Sequence, residues 1–411
     1  MNFSWSFAGN SIYAFSQLIL ISVIAKLGSV EMVGQYALAL AITSPVFMFM
    51  NLQLRSIQAT DSKGDFAFSD YFGLRIHSVI ISLIVCSIIA FFSGMDFKMQ
   101  LVIFLVGINK GVEALSDIFW GDFQKNERMD LVAYSKILKG FLSIIISFSI
   151  MKVIPDVNLL LLGVSLAWLI TLILMDLKNS RYLLVITTDV KSGYGFLRPQ
   201  LSIRRLKKLF LMAVPLGVVA SLDTLNTNIP RYFIQINGGI KDLGYFAGIV
   251  SFMVIGGTIV NALAQSVMPR LAAYFNTNLK KFIDLFIKLL LMANLLGVLG
   301  VIVAVIFGRQ ILTLVYTADY ATYENVLIII MVAAWLWYLS GFTNSALTAA
   351  RFFTAQVPTF LMMVVGTIIS SMFLIPRHGL MGAAIAVCIG MFIRLTASGL
   401  MLLKVLRVQR K

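Results

Sequence analysis

Charged residues stand inside apolar runs of this sequence, among them Lys110, Glu113 and Asp117 in one run, Asp223 in a second and Arg394 in a third. A charge near the centre of a bilayer costs at least ~2.5–3.5 kcal/mol on insertion scales, so such groups face a water-filled cavity or a partner. Lys and Arg in that setting make charge-assisted hydrogen bonds to an anion. Asp and Glu there can titrate, or neutralise a neighbouring base. Lys110, Glu113 and Asp117 fall at i, i+3 and i+7, one stripe of an α-helix, continued by Ala114 and Gly121. Lys136, Gly140, Ser143 and Ser147 form a second stripe, and Gly341, Asn344 or Ser345, Thr348 and Arg351 a third. Asn10, Ala14 and Gln17 offer a fourth near the start of the chain. Two plainer roles stay open: Lys110 and Glu113 can simply neutralise each other, and small residues at these spacings also let membrane helices pack closely. Arg55, Lys136 and Arg351, near the ends of their runs, can also snorkel to headgroups.

The elements that carry these stripes must be membrane helices. The chain has 411 residues, 59 % of them hydrophobic and only 12 % charged, with a mean hydropathy of +0.92. A soluble globule carries about 25 % charged residues. Twelve apolar runs, each long enough to cross a ~30 Å hydrocarbon core, are expected at 8–26, 33–54, 74–94, 99–120, 134–154, 157–176, 207–230, 243–266, 282–307, 325–349, 353–375 and 380–404. The expected fold is an all-α polytopic bundle. The start, MNFSWSFAGNS, has no Lys or Arg, so no cleavable signal peptide is expected. Cys86 and Cys388 both lie in apolar runs, and His77 and His378 have no metal-ligand spacing, so neither a disulfide framework nor a metal site is expected.

The net charge of +15 reads as topology, and no nucleic-acid partner is expected. With the N-terminus inside, Lys and Arg concentrate in one set of segments, including Arg55, Lys63, Arg75, Lys125, Arg128, Arg204, Arg205, Lys207, Lys208, Lys280, Lys281 and the tail from Lys404. The other side holds only Lys26, Lys98, Lys152, Arg231, Lys241, Arg309 and Arg377. The positive-inside rule then places both termini in the cytoplasm.

The longest polar stretch follows the sixth run, so residues 1–176 are read as a first lobe, 177–206 as a cytoplasmic loop and 207–411 as a second lobe with a basic tail. A repeat supports two sets of six. LGSVEMVGQYALA at 27–39 matches NGGIKDLGYFAGI at 237–249, pairing Gly28 with Gly238 and Gly34 with Gly244. IPDVNLLLLG at 154–163 echoes IPRHGLMGAA at 375–384, each opening the last run of its half. Six spans per half make the repeat parallel, with a pseudo-two-fold along the membrane normal and a binding site expected between the halves. The seventh run contains SLDTLNTNIPRYF, where Asp223, Asn226, Asn228, Pro230 and Arg231 predict a broken helix lining a cavity, the plainer alternative being an ordinary proline kink near the outer boundary with Arg231 at the surface. Lys26, Arg55, Lys110, Lys136, Lys139, Arg231, Arg351 and Arg394 outnumber Glu113, Asp117 and Asp223, so the cavity is expected to be cationic. Asn10, Gln17, Asn226 and Asn344 are its expected neutral lining. A cationic cavity suits an anionic cargo, a phosphate or diphosphate in particular.

Several segments resemble the polysaccharide biosynthesis transporters, the O-antigen flippases of the multidrug/oligosaccharidyl-lipid/polysaccharide (MOP) superfamily. They include GNSIYAFSQ (9–17), residues 27–61, EALSDIFWGDFQKNERMDLVAYSKILKG (113–140), PLGVVASLDTLNTNIPRYF (215–233), LGYFAGI (243–249), VMPRLAAY (267–274), FGRQILTLVY (307–316) and IPRHGLMGAAIA (375–386). The resemblance implies a flippase that moves an undecaprenyl-diphosphate-linked oligosaccharide from the cytoplasmic to the periplasmic leaflet of the bacterial inner membrane. It implies no covalent change and no cofactor, a monomeric transport unit, and a polysaccharide polymerase and chain-length proteins as partners beside the membrane lipids. A lipid-linked peptidoglycan precursor flippase and a drug/cation antiporter are the alternatives within transport. Drug-exporting relatives often carry an acidic residue in the first span, where this chain has Asn10 and Gln17. A membrane-embedded glycosyltransferase or polymerase is the more distant alternative, and the short outward loops disfavour it.

Overall fold

Backbone N–H and C=O groups find no water in a hydrocarbon core, so a chain of ~20-residue apolar runs satisfies them within helices. The computed structural model describes residues 2–61, 65–188, 198–200, 202–350 and 352–409. Its helices are α1 (Asn2–Leu27), α2 (Val30–Asn51), the short α3 (Leu54–Thr60), α4 (Phe68–Phe92), α5 (Phe97–Lys125), α6 (Met129–Val153) and α7 (Val157–Thr171). A π-helical turn, Leu172–Leu177, joins α7 to α8 (Lys178–Thr188). Then come α9 (Ile203–Asn237), α10 (Gly239–Thr277), α11 (Leu279–Val315), α12 (Glu324–Ala349) and α13 (Phe353–Gln409).

Among the described residues, 10 helical stretches are long and apolar enough to cross a membrane. Two adjustments recover the twelve expected spans. The charged stripe of α5 keeps it out of that set although its 29 residues suffice in length. The last stretch is 52 residues long, far beyond one crossing, and is broken at Gly379, whose φ of 52° and ψ of −130° are open only to glycine. Rows of exposed Ile on α4 (Ile80, Ile84, Ile88) and of Leu on α11 (Leu291, Leu295, Leu299) form the lipid-facing surface.

The chain divides into two compact units, 1–28 with 35–224, and 29–34 with 225–411. The division falls inside α9, and the polar stretch 177–206 lies in the first unit. The seventh run departs from expectation in one respect: α9 continues through Pro230 to Asn237 without a break. A proline inside a helix removes a single hydrogen bond, whereas unwinding in a bilayer would strand several backbone groups. The chain turns only at Gly238–Gly239, where Gly239 has a φ of 79°.

The repeat has a physical counterpart in the second unit. A Cβ on Gly34 would lie 1.9 Å from the Ile240 carbonyl oxygen, and one on Gly244 would lie 2.1 Å from that of Val30. In the register that pairs Gly34 with Gly244, Val30 pairs with Ile240. The two equivalent helix starts therefore cross reciprocally, each glycine seated on the other's backbone. Gly34→Ala and Gly244→Ala should each destabilise the protein by ~1–3 kcal/mol, the usual cost of overpacking. Thermal unfolding in detergent measures this, and an unchanged midpoint in both variants would contradict so close a crossing.

Candidate functional site: a charged cavity in the first unit

Helix α2 ends at Asn51, and the next two residues adopt left-handed backbone, Leu52 with a φ of 52° and Gln53 with 50°. Neither is glycine, and such conformations cost of order 1–3 kcal/mol each and persist only when the surroundings impose them. Here the surroundings do so. The Leu52 side chain is fully buried in a core with Leu54, Tyr71, Ile118, Leu209 and Ala213. This turn redirects the chain so that Asn51, Gln53 and Arg55 all line one cavity.

That cavity has a volume of about 300 Å³. Its walls come from the end of α2, the turn and α3, from Lys110, Glu113, Asp117 and Trp120 on α5, and from Lys136 on α6. The i, i+3, i+7 stripe of α5 thus forms one wall. Asp117 is held from two sides, 3.5 Å from Arg55 Nη1 and 3.3 Å from Arg75 Nη2. Arg55 also donates through Nε to Gln124 Oε1 at 3.0 Å, and Arg75 donates to the Asn51 amide oxygen. Lys110 Nζ lies 3.5 Å from Glu113 Oε2, and the other Glu113 oxygen accepts from the Tyr13 hydroxyl at 2.9 Å.

Each carboxylate is therefore matched by at least one base, and Lys136 is left over. Its ammonium donates to Asn10 Oδ1 at 2.6 Å and stands 4.9 Å from the centre of the Trp120 ring. Both partners are neutral, and none of the ion pairs formed among the described residues includes Lys136. Trp120 gathers cations: Arg55 lies 5.8 Å and Lys139 4.8 Å from the same ring. An aromatic face attracts a cation without cancelling its charge. The cavity keeps a net positive charge, in the low-dielectric setting where an anion gains most.

Lys139 sits behind Trp120 and does not line the cavity. It is fully buried, donates to the Ser116 hydroxyl and pairs at 3.7 Å with Asp176, which is also fully buried. Trp120 Nε1 donates to Asp176 Oδ1 at 3.3 Å. Asp176 lies on the π-helical turn, a local irregularity common at functional sites.

The other sequence candidates lie elsewhere. Lys26 is exposed at the end of α1. Asp223 is half-buried on α9. In the second unit Arg231 donates to Asn228 Oδ1 at 3.2 Å, Asn226 accepts from Thr367 Oγ1 at 2.6 Å, and the Arg394 guanidinium stands 4.5 Å from the Phe360 ring centre. Asn344 is buried on α12, and neither of its amide atoms has a hydrogen-bond partner among the described residues. Arg351 lies outside the described residues. Sequence reasoning counted Arg75 among the cytoplasmic charges, but it is fully buried, because Asn51 and Asp117 enclose its guanidinium. Asp176, Trp120 and Tyr13 were not singled out. A lone carboxylate in the run LILMDL, and Tyr13 three residues after Asn10, were the available signals.

No protein-family model matches the chain. It is 29 % identical over 397 residues to the capsular polysaccharide biosynthesis protein CapF of Staphylococcus aureus, covering 96 % of both sequences. Its fold matches the inward-facing conformation of a multidrug resistance MATE family transporter of the MOP superfamily with a TM-score of 0.73, at 14 % identity and over 98 % of this chain and 95 % of that one. A MOP superfamily transporter from Pyrococcus furiosus, described for the reverse polarity of its binding pocket, gives a TM-score of 0.61 at 15 % identity over 100 % of this chain and 95 % of that one. The relationship read from the sequence motifs is borne out on both counts, in a polysaccharide biosynthesis relative and in the MOP transporter fold.

Proposed function

From a chain related over nearly its whole length to a polysaccharide biosynthesis protein and built on the MOP transporter fold, we propose that this protein flips an undecaprenyl-diphosphate-linked oligosaccharide, a surface-polysaccharide repeat unit, across the bacterial cytoplasmic membrane. The observation that carries this reading is Lys136, a membrane-embedded cation whose partners are neutral, on the wall of a cavity of about 300 Å³. Arg55 and Lys110 share the wall and can shift from their carboxylates toward a diphosphate, which accepts several charge-assisted hydrogen bonds at once. The lipid tail stays in the bilayer while the head group crosses by alternating access, from the cytoplasmic side that holds both termini. No bond of the cargo is made or broken, so the protein is a transporter and not an enzyme. A cationic drug as cargo fits poorly, because Asp117 and Glu113 already have bases within 3.5 Å.

The test is reconstitution of the purified full-length protein into liposomes containing a fluorescent undecaprenyl-diphosphate-linked oligosaccharide. Accessibility of the glycan at the opposite leaflet should rise well above protein-free vesicles. Equal rates with and without protein would overturn the proposal.

A further inference from the structure

Lys136 lies on the cavity wall with neutral partners, and the larger of them is Trp120. An ammonium taken out of water needs a partner, yet a carboxylate in that place would cancel the charge that an anion requires. The face of an indole meets both demands, provided that the ring cannot turn away. Trp120 satisfies that condition. It stands on α5 one turn beyond Asp117, is only 3 % exposed and is fixed at its edge. Its Nε1–H donates to Ser135 Oγ at 3.1 Å and to Asp176 Oδ1 at 3.3 Å. Both acceptors are fully buried.

The charge on the second acceptor matters. A carboxylate at the indole N–H polarises the ring and deepens the negative potential of its face, an effect that is strong where water is absent. The same carboxylate pairs with Lys139 at 3.7 Å. Of the two α6 lysines beside this ring, Lys139 is therefore balanced and Lys136 keeps its charge for the cavity. An ammonium has three N–H bonds. At Lys136 one serves Asn10 Oδ1 at 2.6 Å and the ring, 4.9 Å away, covers a second direction, which leaves a third for an oxygen of the cargo.

We infer that Trp120 is a positioning residue of the anion site: anchored through Ser135 and Asp176, its face holds the Lys136 ammonium at the cavity wall without neutralising it. The inference rests on the proposed function and deepens it, since it assigns the placement of the cation to an aromatic neighbour. A packing role would need the volume of the indole but not its electrons, and that difference is measurable.

The experiment places a tetrafluorinated tryptophan at position 120 alone, by nonsense suppression, in the full-length protein. The analogue nearly keeps the shape of the ring and its N–H but removes the negative face. Without cargo, acetylation of Lys136 by an N-hydroxysuccinimide ester, followed by mass spectrometry, should quicken about two- to fivefold, the scale of one lost cation–π contact. Acetylation of Lys26, exposed at the end of α1, should not change. Undecaprenyl diphosphate, offered to the protein in nanodiscs, should bind about two- to fivefold more weakly for the same reason. In a Lys136→Met background the fluorinated ring should no longer affect that binding, because the two positions act as one unit. Unchanged acetylation of Lys136, or an equal loss of binding with and without the lysine, would overturn the positioning role. If Lys136→Met instead bound undecaprenyl diphosphate as tightly as the wild type, the anion-site reading of the cavity would fall, while acetylation of the cargo-free protein would still decide whether Trp120 holds the lysine.

Discussion

Replacing Lys136 with Met is expected to cut translocation ten- to a hundredfold, and adding Arg55→Ala is expected to abolish it. The methionine keeps an apolar stem against Trp120 but removes the cation that has only neutral partners. A hydrogen bond to a charged group is worth about 1.5–3 kcal/mol, and each 1.4 kcal/mol is about tenfold in affinity. Arg55 is only partly buried and shares Asp117 with Arg75, so its removal leaves that carboxylate still paired and the fold supported. Liposome translocation and surface polysaccharide in a strain that depends on the protein both read the effect. Lys136→Arg, which keeps the charge, should retain the larger part of the activity. A full rate for Lys136→Met at normal protein level would remove this residue from the cargo path.

The second large effect concerns stability. Lys139 and Asp176 are both fully buried and 3.7 Å apart. Asp176→Leu would strand an ammonium among Ser116, Trp120 and Trp168, and breaking such a pair costs about 3–5 kcal/mol. The double variant Lys139→Met with Asp176→Leu removes both charges and should recover most of that loss, since a well-packed apolar pair often matches a buried ion pair. Thermal unfolding in detergent distinguishes the cases. If the single variant melts with the wild type, the pair contributes nothing to holding α5, α6 and the π-helical turn together.

What could be read before the structure was whatever lies within one helix. The stripe of Lys110, Glu113 and Asp117 follows from a 3.6-residue period, and it does form one wall. The twelve apolar runs and the glycine repeat likewise depend on local pattern and were legible. Partnerships across helices were not. Arg75 meets Asp117 at a separation of 42 residues, and Lys136 meets Asn10 at 126; no periodicity in a single sequence connects such positions. The turn at Leu52–Gln53 was hidden for a different reason. It carries no Gly or Pro and lies at the end of an apolar run, so nothing local signals that burial of Leu52 forces the backbone into the left-handed region. Pro230 shows the converse, a strong local signal that the helix absorbs.

The reciprocal seating of Gly34 on Ile240 and of Gly244 on Val30 has the form of an isologous interface, the arrangement by which two copies of one subunit join. Here both copies reside on one chain. In a homodimer every substitution strikes both patches at once, and any charge placed in one half appears in the other. Fusion removes that constraint. The surroundings of the two segments differ: the first unit gathers paired acids and bases around Trp120, and in the second Asn226 meets Thr367 and the Arg394 guanidinium stands over the Phe360 ring. The two crossing segments thus keep their symmetry while the residues around them differ.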